Sequence, residues 1–424
     1  MTKRNRRSFV TTIATAGTLG LAGCSSKMRK GRGTDGEPTA SQTRPQSNET
    51  DDGTSAAALP SLPGKQLENF ESLEEWTAMI DAGKLTAETD DPYAGSQSAH
   101  LSAGSNTDYT AAYTVSGEWD LREKNLSIAV RFTGRDQLRL TLELYAPNSR
   151  NVYALERTLT GPRDRWVRVD FGTGQLEGQP DLATVSGLRV TARRRGDRSG
   201  ALNCSVDDIR AVDRPKTGKV MFLFDGTLES HRATAFERMQ SYGFAGVEAV
   251  IPEAVGEGGR LTIDELTALD DAGWDMAARP RTGAHFLHEF PPARQKGMIR
   301  QTKAYLESRG FEDGAKHFVT PRNILSPTAH DLLEEYHEQA FRFGGGPNAL
   351  PLTDPYNVGF FSGAAGDVTK RYVDYAADYG QLAVLKFDYF GGENGISERA
   401  FDDVLEYVAE RDVNVVTATE LLNG

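Results

Sequence analysis

The stretch "VMFLFDGTLESH", residues 220–231, decides the fold of the second half of the chain. It begins with five apolar residues, a pattern typical of a strand that is buried on both faces. The run ends in Asp225 and turns at Gly226 towards a helix-like segment. Parallel α/β proteins bind their ligands beyond the carboxyl ends of their strands. Asp225 is therefore predicted to lie where such a fold places its chemistry.

The segments that follow support this interpretation. From Lys219 to the end, apolar runs of strand length alternate with amphipathic runs of helix length. Such alternation predicts parallel strands covered by helices, arranged either as a barrel or as an open sheet. Four of the predicted strands end at Asp225, Arg279, Pro321 and Asp388. We expect these residues to lie at one end of the fold.

Residues 66–213 follow a different pattern with a period of two. The segments "LSIAVRF" (126–132) and "LRLTLEL" (138–144) alternate apolar and polar side chains, and turn residues separate such runs. This pattern is typical of half-buried antiparallel strands. It predicts an all-β sandwich over residues 65–214.

The predicted sandwich resembles the jelly-roll carbohydrate-binding modules. The resemblance rests on "ENFESLEEW" near its start, "YAGSQSAHL" in the second strand and "CSVDDIRAV" at its end. It implies a glycan partner and a structural calcium ion shared by acids of the opening and closing strands. Glu71 and Asp208 are the candidate ligands, because Ca²⁺ prefers carboxylate oxygens. Alternatively, both residues are solvated acids.

The N-terminus has the features of an export signal. Arg6 and Arg7 precede a short, weakly apolar run that ends in "LAGC", residues 21–24. Residues 1–24 resemble a twin-arginine signal joined to a lipobox, which implies export, lipidation of Cys24 and attachment to the outer face of the cell membrane. An uncleaved amphipathic leader is the alternative. Residues 25–64 are polar and rich in Ser, Thr and Gly, which predicts a disordered linker.

Composition excludes some classes of function. The formal net charge is -12, which argues against a nucleic-acid partner. The excess of acids, with arginine commoner than lysine, is typical of halophiles and of a solvated acidic surface. The two cysteines, Cys24 and Cys204, lie far apart, so neither a disulfide framework nor a cysteine metal cluster is expected.

Residues 217–424 resemble the polysaccharide deacetylases. The motifs that carry the resemblance are "FDGTLES", "LTIDELTALDDAGWDMA", "LAVLKFD" and "VNVVTATELL", in that order. The resemblance implies a distorted (β/α) barrel and hydrolysis of the amide C–N bond of N-acetylated sugars. It also implies a divalent, zinc-like metal that polarises the acetyl group and activates water.

The motifs of this family are degenerate in the chain. Asp225 occupies the position of the general base, but Gly226 replaces the metal-binding aspartate that should follow it. Arg279 and Gly283 stand where the resemblance expects two metal-binding histidines, and Asp388 stands at the position of the late histidine. The usual metal ligands are therefore absent from their expected positions.

Three arrangements remain open at this stage. His285 and His288 could rebuild a metal site together with Asp225. Alternatively, Asp225 and Asp388 could act as a metal-free pair of catalytic carboxylates, with Arg279 and Arg322 binding substrate. In the third arrangement these acids and arginines form a neutralised network that closes the end of the barrel. The other histidines are interpreted as surface or helix-face residues without a ligand partner: His231, His317, His330 and His337.

Two functions follow from these alternatives. In the first, the protein is an exported, membrane-anchored polysaccharide deacetylase that acts on surface or extracellular glycan. In the second, it is a catalytically inactive, glycan-binding lipoprotein with a deacetylase-like barrel. Fold alone does not decide between them.

Overall fold

The computed structural model describes residues 62–134, 137–196, 200–391 and 395–424. The predicted signal, Cys24 and most of the linker lie outside these ranges. Within them, no helix is both long enough and apolar enough to cross a membrane.

Two antiparallel sheets form the first part of the described chain. One has the strand order β3-β4-β12-β6-β9, with β1 added on β12, and the other has the order β10-β8-β7-β11-β5-β2. Their inward side chains, such as Ile128, Val130, Leu140 and Leu142, form one apolar core. The predicted all-β sandwich is therefore present. Its strands are β1 (Lys65–Glu68), β2 (Thr77–Ala78), β3 (Lys84–Glu88), β4 (Ser98–Ala103), β5 (Tyr109–Thr114), β6 (Lys124–Thr133), β7 (Leu138–Tyr145), β8 (Val152–Leu159), β9 (Val167–Asp170), β10 (Gly172–Glu177), β11 (Gly187–Arg194) and β12 (Leu202–Asp213).

The second part is a closed, all-parallel barrel. Seven strands follow one another in the order β14-β15-β16-β17-β18-β19-β13, and pairing of β13 with β14 closes the ring. A further strand, β20, pairs with β13 from outside the ring. Of the two arrangements that the sequence left open, the barrel is the one that forms. Its strands are β13 (Gly218–Asp225), β14 (Val247–Val250), β15 (Asp275–Ala278), β16 (His317–Val319), β17 (Gln339–Phe343), β18 (Val358–Ser362), β19 (Leu382–Phe387) and β20 (Val413–Val415).

Helices cover the outside of the barrel. Strand β13 is followed by a π-helical segment, His231–Phe236. Helix α6 has a strongly one-sided apolar face, with Phe401, Val404, Leu405 and Val408 buried. The helices are α1 (Glu237–Met239), α2 (Ile263–Asp270), α3 (Pro292–Glu307), α4 (Pro327–Tyr336), α5 (Asp367–Tyr379), α6 (Glu398–Ala409) and α7 (Ala418–Asn423).

Strand β13 contributes to two apolar cores at once. Met221 and Leu223 belong to the cluster inside the barrel. Phe222 and Phe224 belong to the cluster between the strands and the helices. Because successive side chains of a strand point to opposite faces, a strand with two buried faces is typically a nearly continuous apolar run. This explains the continuous apolar run before Asp225.

The sandwich and the barrel meet in a buried polar interface. Arg157 of β8 donates hydrogen bonds to the side-chain oxygen of Asn348 and to the backbone oxygen of Asn357. Arg342 of the barrel strand β17 donates a hydrogen bond to the Gly161 carbonyl of the sandwich. It also donates one to Asn357 Oδ1 at 2.8 Å. Burial lowers the pKa of Arg157 to about 10 and that of Arg342 to about 9. Such desolvated guanidinium groups are tolerated because fixed oxygens surround them.

Small residues make room for Arg157. A Cβ atom added to Gly359 would lie 1.9 Å from Arg157 Nη1, and one added to Gly344 would lie 2.7 Å from the same atom. Glycine at these positions therefore lets the guanidinium group pass close to the barrel backbone.

We predict that Gly359→Ala lowers the free energy of unfolding by about 1–3 kcal/mol, because the added methyl group displaces a fully buried arginine. Urea denaturation measures this change. Gly258→Ala is the matched control, since a Cβ atom there meets no heavy atom within 4 Å. Equal stability of the two variants would contradict the close contact of Arg157 with Gly359.

Candidate functional site

Charged side chains of three strands meet at one end of the barrel. Asp225 ends β13, Arg279 follows β15 directly, and Lys386 and Asp388 lie at the end of β19. Oδ1 of Asp225 forms an ion pair with Arg279 Nε, and Oδ2 lies 3.3 Å from Lys386 Nζ. The ammonium group of Lys386 also pairs with Asp388. We call these four residues the mouth network.

Charges alternate in sign along the mouth network, in the order Arg279, Asp225, Lys386, Asp388. The Asp225 and Lys386 side chains are only 11% and 14% exposed, whereas that of Asp388 is 52% exposed. Partly buried charges are tolerated when opposite charges neutralise them. Of the three arrangements that the sequence allowed, this geometry agrees with the neutralised network.

Lys386 was missed in the sequence. Its position two residues before Asp388 could have indicated it, because side chains two residues apart lie on the same face of a strand. The aliphatic stem of lysine allows an otherwise apolar strand to carry a charge at its end. Lys386 Nζ lies 5.7 Å from the ring centroid of Phe360, which provides part of that apolar surface.

Arg322 occupies a different environment. Its guanidinium group lies over the ring of Phe286, 5.1 Å from the centroid. Within the described ranges, no hydrogen bond or ion pair joins Arg322 to Asp225 or Asp388. The structure therefore does not bring Arg322 into the mouth network, and its assignment as a substrate-binding residue stays a prediction.

The backbone at the expected ligand positions is unusual. Gly226 has φ 129° and Gly283 has φ 62°, both in the region that favours glycine. Thr227, beside Gly226, has φ 57°, which is a strained value for a β-branched residue. A metal-binding side chain at either glycine would have to adopt the same strained conformation. The residues at these positions therefore carry no ligand atoms, and their backbone conformations disfavour residues that do.

The zinc-like metal implied by the resemblance does not fit these residues. Each oxygen of Asp225 already faces a cation. His285 is an exposed side chain whose Nδ1 lies 3.5 Å from Glu289 Oε2, and His288 stacks on Phe286. Within the described ranges, Asp225, His285 and His288 do not form a cluster of ligand atoms within 4.8 Å of one another. The rebuilt metal site is therefore not formed.

His231 does not lie on the surface, and its assignment as a residue without a partner was wrong. The side chains of His231 and Glu248 are fully buried, and His231 Nδ1 lies 2.7 Å from Glu248 Oε2. His231 Nε2 donates a hydrogen bond to the Asp388 carbonyl at 2.7 Å, and Glu248 Oε1 accepts one from the Thr227 amide at 2.9 Å. The pair therefore links the segments that follow β13 and β19.

The electrostatics of this pair favour a bound proton. Burial alone lowers the pKa of His231, but the Glu248 carboxylate and the Asp388 carbonyl raise it, and the net direction is upward. Burial raises the pKa of Glu248, against the opposing effect of His231. The sequence offered no signal for this pair, because Glu248 lies in the middle of an apolar strand and 17 positions from His231.

The two candidate calcium ligands also have other partners. The Glu71 carboxylate accepts hydrogen bonds from the amide of Ser96 at 2.9 Å and from its hydroxyl at 2.6 Å. Asp208 pairs with Arg168 at 2.7 Å and with Arg210 at 3.3 Å. Two guanidinium groups thus compensate the charge of Asp208. Among the described residues, neither Glu71 nor Asp208 belongs to a cluster of three or more histidine, cysteine or acidic side chains, and the calcium site stays a prediction.

The sandwich carries a polar groove of about 250 Å³ on the outer face of the β10-β8-β7-β11-β5-β2 sheet. Its floor combines arginine–carboxylate pairs with a tyrosine. Arg139 pairs with Glu156 at 2.8 Å, and the Arg193 guanidinium lies 4.7 Å from the ring centroid of Tyr109. Hydrogen-bonding groups beside an aromatic ring suit a hydroxyl-rich ligand.

Comparisons with known proteins give remote structural similarities. No protein-family model and no curated protein matches the chain. The Xyl-CE4 domain of a multidomain xylanase from the hindgut metagenome of Trinervitermes trinervoides is 12% identical, with a TM-score of 0.36 over 49% of this chain and 90% of that one. A family 4 acetyl xylan esterase from Clostridium thermocellum is 16% identical, with a TM-score of 0.34 over 48% of this chain and 90% of that one.

A family 11 carbohydrate-binding module of Clostridium thermocellum is also similar, with 14% identity and a TM-score of 0.28 over 36% of this chain and 96% of that one. Identities and TM-scores this low carry no chemistry from one protein to another. The function of this chain has to be inferred from its own contacts.

We predict that His231→Gln lowers the free energy of unfolding by about 3–5 kcal/mol near pH 6, because it leaves the buried Glu248 without its partner. Urea denaturation measures the loss. His285→Gln is the control and should change stability by less than about 0.5 kcal/mol, since the His285 side chain is 65% exposed.

The stability supplied by His231 should also depend on pH. Because its folded pKa is raised above the ordinary 6.5, its contribution is fully present below pH 6.5 and is lost as the pH rises through the folded pKa. The gap between wild type and His231→Gln should therefore shrink towards alkaline pH. A gap that stays constant across this titration would contradict a protonated His231.

Proposed function

We propose that this protein binds a surface or extracellular polysaccharide, and that its deacetylase-like barrel recognises glycan without the family's metal-dependent hydrolysis. The observation that carries the proposal is the pairing of both Asp225 oxygens with cations. The resemblance to polysaccharide deacetylases supports the glycan partner. We further propose that the chain is exported and anchored to the membrane through lipidated Cys24.

The mouth network is poorly suited to the family's reaction. A general base must accept a proton from a water molecule within hydrogen-bond reach. Arg279 faces one oxygen of Asp225, and Lys386 faces the other. A divalent cation brought beside Asp225 would also be repelled by these two positive groups. The same network offers donors and acceptors to hydroxyl groups of a sugar, with Asp388 as its most exposed member.

The groove on the sandwich supports a second contact with the polymer. It lies on a rigid sheet and holds charged pairs and a tyrosine ring. Two binding surfaces on one chain raise the local concentration of a long ligand at each of them. Retention of a polymer therefore does not require turnover at the barrel.

We predict that the purified protein releases no acetate from a panel of N- and O-acetylated oligosaccharides, with or without added Zn²⁺ or Co²⁺. It should nevertheless retain acetylated or deacetylated polysaccharide in affinity electrophoresis. Acetate release that depends on metal and disappears in Asp225→Asn would overturn the proposal and establish the deacetylase. Absence of both turnover and glycan retention would overturn the glycan partner as well.

We predict that Tyr109→Ala weakens polysaccharide retention about five- to tenfold, since loss of a ring contact costs about 1 kcal/mol. Tyr242→Ala is the control, because Tyr242 is an exposed tyrosine of the barrel outside the groove. Circular dichroism confirms that both variants are folded. Equal retention by the two variants would exclude the groove as the polymer-binding surface.

A further inference from the structure

Helix α4 carries a histidine and two acids on adjoining positions. The helix begins after Ser326, whose hydroxyl accepts a hydrogen bond from the Ala329 amide at 3.1 Å. His330 and Glu334 are four residues apart and so share one face of the helix. Asp331 is next to His330 in the sequence. One ligand atom from each of the three residues lies within 4.8 Å of the other two.

The spacing inside this cluster suits a shared cation better than a hydrogen bond. His330 Nδ1 lies 3.7 Å from Glu334 Oε1, which is too long for a hydrogen bond. Two ligand atoms bound to one tetrahedral zinc ion, at bond lengths of about 2.0–2.2 Å, are about 3.3–3.6 Å apart. A small rotation of the exposed Glu334 side chain closes the difference.

The His330 imidazole lacks the partners that a buried polar group normally has. His330 is only 6% exposed, and its Nε2 atom is buried without a hydrogen-bond partner among the described residues. No hydrogen bond to Nδ1 is present in that part of the chain either. Buried polar groups are almost always satisfied. The Nδ1 atom, which lies 3.7 Å from Glu334 Oε1, is therefore available to a ligand on the side of the carboxylates.

The local charges favour the binding of a cation. The buried His330 imidazole lies close to the carboxylates of Asp331 and Glu334. The Asp354 and Asp331 carboxylates both lie near enough to Glu334 to interact with it electrostatically, which adds negative charge around the cluster. Both oxygens of Asp331 accept hydrogen bonds from Arg165 at 3.4 Å. These two side chains are about half exposed, unlike that of Asp225, and such exposed pairs are weak enough for a metal ion to displace.

We propose that His330, Asp331 and Glu334 bind one divalent transition-metal ion of the zinc type. One imidazole with carboxylates suits Zn²⁺ or Co²⁺, whereas Ca²⁺ and Mg²⁺ prefer oxygen ligands alone. Water completes the coordination of the ion. None of the mouth network residues takes part, so the site is separate from the proposed glycan contacts. All three ligands lie on helix α4, and Asp331 also accepts hydrogen bonds from Arg165 of the sandwich.

Titration of the chelator-treated full chain with Co²⁺ tests the proposal. We expect one equivalent of Co²⁺ to give a saturable visible absorption band, and Zn²⁺ to displace it. Glu334→Gln should weaken Co²⁺ binding at least about tenfold, because it removes a charged ligand. The Glu334 side chain is 53% exposed, so this variant should fold normally.

The chain supplies a matched control. His285 and Glu289 form another pair four residues apart, with Nδ1 3.5 Å from Oε2, but both side chains are largely exposed and no further acid joins them in a described cluster. Glu289→Gln should leave Co²⁺ binding unchanged, and so should Asp225→Asn. Unchanged binding in Glu334→Gln, or an equal loss in Glu289→Gln or Asp225→Asn, would overturn the assignment. Absence of any saturable Co²⁺ band in the wild type would overturn it as well.

Discussion

Closure of the barrel at β13 is the constraint on which the rest of the structure depends. This strand pairs with β14 and β19 inside the ring and with β20 outside it. With both faces buried, it is apolar from Val220 to Phe224, and the next polar side chain appears where the strand leaves the barrel. That residue is Asp225. The positions of the mouth network and of the His231–Glu248 pair both follow from this closure.

Charge compensation explains how the barrel end is stable with the residues it has. A partly buried carboxylate needs either a metal or fixed positive groups around it. Arg279 and Lys386 supply those groups for Asp225. The same principle operates at Asp208, which pairs with Arg168 and Arg210. In both places arginine or lysine side chains supply the positive charge that the resemblances assign to a metal ion.

The sequence predicted the two fold classes because periodicity reflects burial. Alternating runs such as 138–144 became strands with one face on the core, and the continuous run before Asp225 became a strand with two. It also predicted that Asp225, Arg279 and Asp388 would lie at one end of the barrel. Lys386, His231 and His330 were missed, because their partners are set by strand register and helix packing. Composition and spacing report only neighbours that are close along the chain.

By itself, the sequence determined the alternation of buried and exposed positions, and with it the sandwich, the barrel strands and the strand end at Asp225. The tertiary structure alone decided which charges face one another. Ion pairs depend on distances of a few ångströms between groups far apart in the chain, such as Asp225 and Lys386. It also decided the buried interface of Arg157 and Arg342, where glycines and asparagines from separate loops converge. Those contacts exist only after the sandwich and the barrel have packed together.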